Sequence, residues 1–312
     1  MSTSIEWTNK TWNPVLGCSM ARGSETGGCL NCYAARMAMR NLWPGEAYAR
    51  MTKSGPRWTG KVELRPERLD APLRWKPSRV FVNSMSNLFH EALPDETIDR
   101  VFAVMAWARH HTYQILTKRP TRMQDYSAGL ASLSPRERTR RLGESSSGFP
   151  VSLENCGELE WPFPWVWLGV SVEDQATADE RTPLLLQTPA AVRFVSYEPA
   201  LGPVDLRPWL PFTDPTYPQG LLGTGDPKDN LAWVIVGGES GPGARPFDIA
   251  WARSVVRQCR EAGVACFVKQ MGAKPFDSSA VHLPVDAMLI RDPKGGDPAE
   301  WPEDLRVREF PA

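Results

Sequence analysis

Seven short apolar runs, each followed at once by polar or charged residues, constrain the fold of this 312-residue chain more than any other feature. Near-continuous runs of Val, Ile, Leu and Phe are typical of parallel β-strands that are buried on both faces of a sheet. The sequence therefore predicts a largely parallel sheet. The predicted strands are PVLGC (14–18), RVFVNSMSN (79–87), YQILTKRP (113–120), VWLGVSVED (166–174), VRFVSYEP (192–199), AWVIVGGES (232–240) and ACFVKQ (265–270).

Amphipathic helices are predicted between several of these strands. Residues 94–109 begin with Pro94, carry acidic residues in the first turn and place apolar residues three and four apart. Residues 248–262 have Asp248 as a candidate N-cap and Gly263 just beyond their end. Strands that alternate with helices favour right-handed βαβ units. We therefore expect an α/β fold with a full or partial (β/α) barrel, and a doubly wound open sheet is the alternative.

The expected domain organisation is one barrel-like domain over residues 1–275, followed by a C-terminal extension over residues 276–312. Two segments interrupt the alternation of strands and helices. Residues 121–163 are rich in Ser, Gly and Arg, which predicts an insertion or a flexible lid. Residues 207–230 are rich in Pro and Gly, which predicts a loop over the barrel mouth.

Polar side chains follow every predicted strand. In (β/α) barrels the chemistry takes place at the carboxyl ends of the strands, which meet at one rim. We expect these side chains to line a single site, while a polar strand end that simply meets solvent is the plainer alternative for each one. The candidates are Cys18, Ser84 with residues 85–87, Lys118 and Arg119, Glu173 and Asp174, Glu198, Glu239, and Lys269 with Gln270.

Three cysteines near the N-terminus, Cys18, Cys29 and Cys32, form a C-x10-C-x2-C cluster after the first predicted strand. Iron–sulfur clusters are held by Cys thiolates, normally four for a cubane, so three would leave one iron open to an exogenous ligand. We expect one 4Fe-4S cluster here; the alternatives are a zinc site completed by a fourth ligand and three unliganded thiols. The cysteines that lie scattered elsewhere in the chain are Cys156, Cys259 and Cys266.

Charge and hydropathy bear on partners and location. Lys and Arg together number 36, as do Asp and Glu, so the chain has no net charge that would attract nucleic acid in general. No apolar run approaches the ~18 residues that a membrane span requires, and the N-terminus lacks the apolar core of a signal peptide. We expect a cytoplasmic protein with no membrane partner, in which a tight cysteine cluster indicates metal binding rather than disulfide bonds.

The cysteine cluster resembles that of the radical S-adenosylmethionine superfamily. The shared features are the final C-x2-C, the aromatic Tyr33 after the third cysteine, and the predicted barrel; the first gap is ten residues here, against three in the usual motif. The chain from residue 5 to about residue 272 also resembles a phage and prophage family, the phage gp thirty-seven / gp sixty-eight family. The matching blocks are IEWTNKTWNPVLGC, GCLNCYA, VFVNSMSNLFHE, ILTKRP, VWLGVSVEDQ, SYEPALGPVDL, WVIVGGESGPGARPF and FVKQMG.

These resemblances imply a radical enzyme. S-adenosylmethionine would bind the open iron, and one-electron reduction would cleave its sulfonium to a 5′-deoxyadenosyl radical, chemistry that belongs to the cofactor. The superfamily's Gly-Gly-Glu element follows the second strand, whereas here it follows the sixth, so cofactor, substrate and loop-capping roles stay open for Glu239. The implied cofactor contacts are Tyr33, Ser84, Glu173, Gly237, Gly238 and Glu239. The implied catalytic residues are Lys118, Glu198 and Lys269.

The phage resemblance and the local arginines favour a nucleic acid or a nucleotide as the substrate, in modification or repair. An electron donor and a phage-encoded partner protein are the other expected partners, in the host cell cytoplasm. The alternative function is a zinc- or cluster-stabilised barrel that serves as a binding scaffold for a partner protein. An iron–sulfur barrel with non-radical chemistry is a third hypothesis.

Overall fold

The computed structural model describes residues 3–21, 27–40, 48–146, 148, 153, 156–211, 230–279 and 290–311. The strands in these ranges are β1 (Lys10–Trp12), β2 (Val15–Leu16), β3 (Ala49–Thr52), β4 (Gly55–Trp58), β5 (Glu63–Leu64), β6 (Arg79–Val82), β7 (Thr112–Thr117), β8 (Val166–Val172), β9 (Val192–Tyr197), β10 (Trp233–Gly237), β11 (Phe247–Asp248), β12 (Ala265–Gln270) and β13 (Pro275–Phe276). The helices are α1 (Tyr33–Ala38), α2 (Asp95–Trp107), α3 (Pro120–Ala131), α4 (Pro135–Ser145), α5 (Gln175–Leu186) and α6 (Ile249–Ala262).

Within the described ranges, seven strands form one parallel sheet in the order β1-β6-β7-β8-β9-β10-β12. β6 pairs with β1 and β7, and β10 pairs with β9 and β12, each time in parallel. The strands follow one another in chain order from one edge to the other, unlike those of a doubly wound sheet, whose order reverses at a switch point. The topology is compatible with a partial (β/α) barrel. The predicted α/β class is confirmed, and each of the last six predicted runs coincides with a sheet strand.

The first strand of the sheet differs from the prediction. The sequence places it at residues 14–18, whereas the sheet begins with β1 and β2 pairs instead with β5 in a small antiparallel sheet. Trp12, at the end of β1, is buried, and its indole donates a hydrogen bond to the Arg68 carbonyl oxygen at 2.8 Å. Pro14 lacks the N–H that would continue the ladder, so β1 and β2 are separate strands.

Both predicted helices are confirmed. α2 follows Pro94 and carries Asp95 in its first turn, where a negative charge complements the helix dipole. α6 is capped by Asp248, whose side chain accepts a hydrogen bond from the Ala250 N–H at 3.0 Å. Gly263 ends α6 with φ 66°, a conformation that glycine adopts without strain. The local signals at these helix ends were therefore sufficient to place them.

The segment predicted as an insertion or flexible lid consists largely of α3 and α4. α4 begins with a capping box in which Ser134 and Glu137 exchange hydrogen bonds. The buried carboxylate of Asp99, on α2, accepts hydrogen bonds from the Tyr126 hydroxyl at 2.7 Å and from Arg141 Nε at 2.8 Å. Within this segment, Ser134 acts as a helix cap and Arg141 as an ion-pair partner.

The chain divides into two compact units. The first unit consists of Met1–Arg22, Cys32–Gly169 and Gln187–Val192, and the second of Gly23–Asn31, Val170–Leu186 and Arg193–Ala312. In the second unit, the Val268 N–H donates to the Val307 oxygen and the Glu309 N–H to the Cys266 oxygen. The C-terminal residues 307 and 309 therefore lie beside β12 within this unit.

Each unit has its own aromatic core. In the first unit, the Phe102 ring lies 5.2 Å from Tyr126 and 6.5 Å from Phe163, measured between centroids. In the second unit, the Trp233 ring lies 5.5 Å from Phe194, and its indole donates to the Glu309 oxygen at 2.9 Å. Residue Glu309 is thus fixed by a buried side chain as well as by the strand beside it.

The predicted loop over residues 207–230 falls largely outside the described residues, and its start, Arg207–Trp209, forms a short 3-10 turn. None of the helices described is long and apolar enough to cross a membrane.

Replacement of Asp99 tests how α2, α3 and α4 are held together. Its side chain is 4% exposed, and Asp99→Ala removes the acceptor of both Tyr126 and Arg141. We expect the free energy of unfolding, measured by urea denaturation, to fall by about 3 kcal/mol, since a buried charged partner is lost. Asp95→Ala is the control: this side chain is 45% exposed, and its loss should cost less than about 1 kcal/mol. Equal losses of unfolding free energy in Asp99→Ala and Asp95→Ala would contradict the role of Asp99 in holding the three helices together.

Candidate functional site

Cys18 follows β2 in the first unit, at a position that backbone packing fixes. Gly17 has φ 84°, and a Cβ on it would lie 1.9 Å from the Lys61 carbonyl oxygen, so a larger residue does not fit. Gly17 also bridges to Ser86 in parallel. The Cys18 sulfur is partly exposed and lies 3.9 Å from Nη1 of Arg119. The Cys18 thiol itself donates to the Ser19 carbonyl oxygen at 3.3 Å.

Arg119 is the centre of a polar network around this first cysteine. Its side chain is 5% exposed; Nε donates to Glu91 at 2.6 Å, and Nη2 donates to the carbonyl and hydroxyl oxygens of Ser19 at 3.2 and 2.9 Å. The Ala92 N–H donates to Nδ1 of His90 at 3.1 Å, so a neutral ring carries its proton on Nε2, 2.8 Å from Ser19 Oγ. Burial and the Arg119 charge lower the pKa of His90 to about 4, so the ring is neutral at pH 7.

Tyr33 and Ser84, two of the predicted cofactor residues, meet in the first unit. Tyr33 begins α1 directly after Cys32; it is 52% exposed, and its hydroxyl donates to the Ser84 carbonyl oxygen at 2.6 Å. The Ser84 hydroxyl lies 3.2 Å from the side-chain amide of Asn13. Cys32 itself packs against a small buried cluster of Leu16, Ala34, Tyr48 and Met85. An exposed aromatic ring with a fixed hydroxyl therefore lies next to the third cysteine in the chain.

Glu239, directly beyond β10 in the second unit, accepts four hydrogen bonds. Arg245 donates Nη2 to Oε1 at 2.7 Å, and Nε and its backbone N–H to Oε2 at 3.0 and 2.9 Å. Asn31 donates Nδ2 to Oε2 at 3.1 Å. Burial opposes ionisation of this carboxyl, but the hydrogen bonds from Arg245 and Asn31 outweigh it and hold the pKa of Glu239 below its usual value of 4.5. Both carboxylate oxygens therefore accept from donors of the same unit, with three hydrogen bonds on Oε2 and one on Oε1.

Gly237 and Gly238 complete the Gly-Gly-Glu element. A Cβ on Gly238 would lie 2.5 Å from the Met271 carbonyl oxygen, so this glycine is needed for backbone packing. A Cβ on Gly237 would lie 3.5 Å from the side chains of Gln270 and Glu198, which is ordinary contact. The packing role of Gly238 follows from the structure, and the cofactor role of the two glycines stays a prediction.

Glu198 and Lys269, two of the three predicted catalytic residues, form an ion pair in the second unit. Glu198 follows β9 and Lys269 belongs to β12, and both strands pair with β10. The two side chains are 19% and 16% exposed, so the pair is partly desolvated but accessible. A carboxylate and an ammonium in this setting have the chemistry to exchange a proton with a bound molecule.

Glu173, predicted as a cofactor contact, is buried in an ion pair with Arg181. Its side chain is 0% exposed and accepts a hydrogen bond from Nη1 of Arg181 at 2.9 Å. Arg181 also donates to the Ser171 carbonyl oxygen at 2.6 Å. This strand end is a buried ion pair in the second unit, so it does not meet solvent. A cofactor contact from Glu173 stays a prediction.

The three motif cysteines are partly exposed, as is Cys156. Cys18 and Cys32 belong to the first unit and Cys29 to the second. In the part of the chain that the structure describes, no three His, Cys, Asp or Glu side chains are grouped so that they could hold a metal ion. The buried cysteines are Cys259 and Cys266.

Sequence reasoning gave no role to Arg245, Asn31 or His90, and it proposed catalysis for Lys118 rather than for its neighbour Arg119. Lys118 is partly exposed just beyond β7, whereas Arg119 is buried against the Cys18 loop. Asn31 lies inside the Cys-x2-Cys motif, the one sequence signal that could have marked it. Arg245 pairs with Glu239 only six residues away, whereas Ser19, a partner of His90, is 71 residues away, so no local pattern identifies His90.

A family model described as "Protein of unknown function (DUF5131)" matches residues 2–288 of the chain. No curated protein and no solved structure matches. The family match includes the three motif cysteines and every strand of the parallel sheet.

Arg245→Leu tests the ionised state of Glu239 through the pH dependence of stability. The folded-state pKa of Glu239 lies below its usual 4.5, so its carboxylate stabilises the fold fully above that pH and loses this effect as the pH falls through the folded-state value. We expect the variant to lose about 2 kcal/mol of unfolding free energy at pH 7, and progressively less below pH 4.5.

Urea unfolding at several pH values measures this difference. Lys61→Leu, which removes an exposed ion pair with Glu63, is the control and should change the stability by less than about 1 kcal/mol throughout. A loss of unfolding free energy in Arg245→Leu that stays constant with pH would refute the lowered pKa of Glu239.

Proposed function

This chain belongs to the DUF5131 family, and we propose that it is a radical S-adenosylmethionine-like iron–sulfur enzyme that modifies or repairs a nucleic acid or a nucleotide. The observation that carries the proposal is that Cys18, Cys29 and Cys32 are partly exposed and close together in sequence. Cysteines that only fill a core are buried, as Cys259 and Cys266 are. The partial exposure of the three motif cysteines therefore supports a role as ligands of a 4Fe-4S cluster.

The donor set fits an iron–sulfur cluster better than zinc. A zinc site with three cysteines requires a fourth ligand, most often a histidine. His90, which reaches the loop of Cys18 through Ser19, has its two ring nitrogens engaged by Ala92 and Ser19. Three thiolates, with no histidine grouped beside them among the residues that the structure describes, suit a cluster that keeps one iron open.

The residues around the cysteines would stabilise charge and cover the reacting groups. When a cluster and S-adenosylmethionine are bound, the chemistry they supply is reductive cleavage of the sulfonium with one electron from a donor protein. Arg119 would stabilise negative charge at the Cys18 sulfur, since nearby charges and hydrogen bonds to sulfur set cluster potentials. The half-exposed ring of Tyr33 would cover the bound cofactor, and its hydrogen bond to Ser84 fixes the ring.

The Glu198–Lys269 pair would act on the substrate. Lys269 Nζ donates to Glu198 Oε1, so a phosphate that attracts Lys269 would free the carboxylate to accept a proton. Lys118 offers a further cationic side chain of the kind that binds phosphate as a point charge. These contacts support an anionic substrate such as a nucleotide.

A second candidate function is a metal-stabilised scaffold that binds a partner protein, encoded with it by a phage. The observation that favours it is the internal pairing of Glu173 with Arg181 and of Glu239 with Arg245. Because both carboxylates are occupied, fewer groups at these strand ends are available to a cofactor. Iron analysis and an assay for S-adenosylmethionine cleavage separate the two candidates.

Iron binding to the reconstituted protein tests the cluster. We expect about four iron atoms per chain after anaerobic reconstitution of the wild type, and loss of most of this iron in Cys29→Ala, because three thiolates are the minimum for a stable cubane here. Cys156→Ala, which removes an equally exposed thiol, should keep the iron. Full iron retention in Cys29→Ala, or stoichiometric zinc in place of iron, would overturn the ligand assignment.

Release of 5′-deoxyadenosine tests the radical chemistry. The reconstituted wild type should release it from S-adenosylmethionine under reducing conditions, and Cys32→Ala should not. Lys269→Met should still release it, because we place Lys269 at the substrate rather than at the cofactor. An intact cluster without any release would remove the radical mechanism and support the scaffold.

A further inference from the structure

Residues 27–31, which carry Cys29, are held in the second unit by side chains that follow β10. Asn31 Nδ2 donates to Glu239 Oε2 at 3.1 Å and to the Gly243 carbonyl oxygen at 3.0 Å. Arg245 Nη2 donates to the Gly27 carbonyl oxygen at 3.2 Å. Both sides of Cys29 are therefore tied to the same short stretch of chain.

Glu239 and Arg245 form an ion pair that is central to these contacts. The Glu239 side chain is 7% exposed, and its oxygens accept the four hydrogen bonds from Arg245 and Asn31. Its backbone is fixed as well, because the Glu239 carbonyl oxygen accepts from the Ala273 N–H at 2.9 Å. Charge-assisted bonds to a buried bidentate pair are among the stronger ones in proteins.

We propose that Glu239, Arg245 and Asn31 form a positioning clamp that fixes residues 27–31, and with them the thiol of Cys29. Glu239 is then a positioning residue for a metal ligand, since its Oε2 atom joins Asn31 of the cysteine segment to Arg245. The inference rests on the proposed function in one respect: that function explains why Cys29 must be fixed. The hydrogen bonds of the clamp do not depend on that function.

Hydrogen exchange on the metal-free full-length protein tests the clamp. The reporter is the Leu30 amide, which donates to the Gly27 oxygen at 3.1 Å. In Glu239→Ala we expect exchange over residues 27–31 to accelerate about tenfold or more, because the lost charge-assisted bonds oppose local opening, and exchange in α2 to stay unchanged. Glu261→Ala removes an exposed carboxylate from α6 of the same unit and should leave residues 27–31 unchanged.

Asn31→Ala is the second variant, because Glu239→Ala removes a buried charge and can disturb the fold. It removes only the donor on the cysteine segment and leaves the Glu239–Arg245 pair in place. We expect the same acceleration at residues 27–31 without a change in the urea midpoint. On reconstitution both variants should hold less than half of the wild-type iron.

The outcomes separate the clamp from the proposed function. Unchanged exchange at residues 27–31 in both variants overturns the clamp, whatever the iron content. If exchange accelerates in the variants and the wild-type protein binds no iron, the clamp is supported and the iron–sulfur proposal is removed. If Glu239→Gln abolishes calorimetric binding of S-adenosylmethionine while exchange at residues 27–31 stays unchanged, Glu239 is a cofactor ligand and the clamp is overturned.

Discussion

Parallel pairing of buried strands is the constraint on which the rest of the structure depends. Parallel neighbours point the same way, so within each unit the carboxyl ends of the paired strands lie at one edge of the sheet. In the second unit this brings Glu198 and Lys269 together from strands on either side of β10. In the first unit it brings Ser84, beyond β6, to Asn13, beyond β1. The polar groups meet because apolar strands of matching direction precede them.

Burial divides these strand-end groups into two kinds. A buried charge is tolerated when it is paired and hydrogen-bonded, and Glu173 and Glu239 meet this condition through arginines of their own unit. Glu198 and Lys269 are paired but accessible, and Tyr33 has an exposed ring. Chemistry requires groups that a substrate or a cofactor can reach. Exposure therefore favours Glu198, Lys269 and Tyr33 as functional groups. The buried Glu173 and Glu239 hold loops and strands through their arginine partners.

Patterns that act over a few residues were predicted well, and those that depend on distant partners were not. The cap residues Asp248 and Gly263 placed α6 from sequence, because a helix end is decided by its nearest neighbours. The first sheet strand was misplaced because Pro14 separates two apolar stretches that look continuous. The segment that contains α3 and α4 was predicted as an insertion or a flexible lid, and nothing local shows that Arg141 reaches Asp99.

The sequence by itself determined six of the seven strands of the parallel sheet, the helices with clear caps and the presence of three cysteines close together, because hydrophobic period and residue chemistry are local properties. The tertiary structure alone decided which polar side chains meet. Asn31 and Glu239 are 208 residues apart in the chain and 3.1 Å apart in space, and Arg119 comes to Cys18 from 101 residues away. Such partners are set by strand register and loop path, since a hydrogen bond depends on distance and angle rather than on position along the chain.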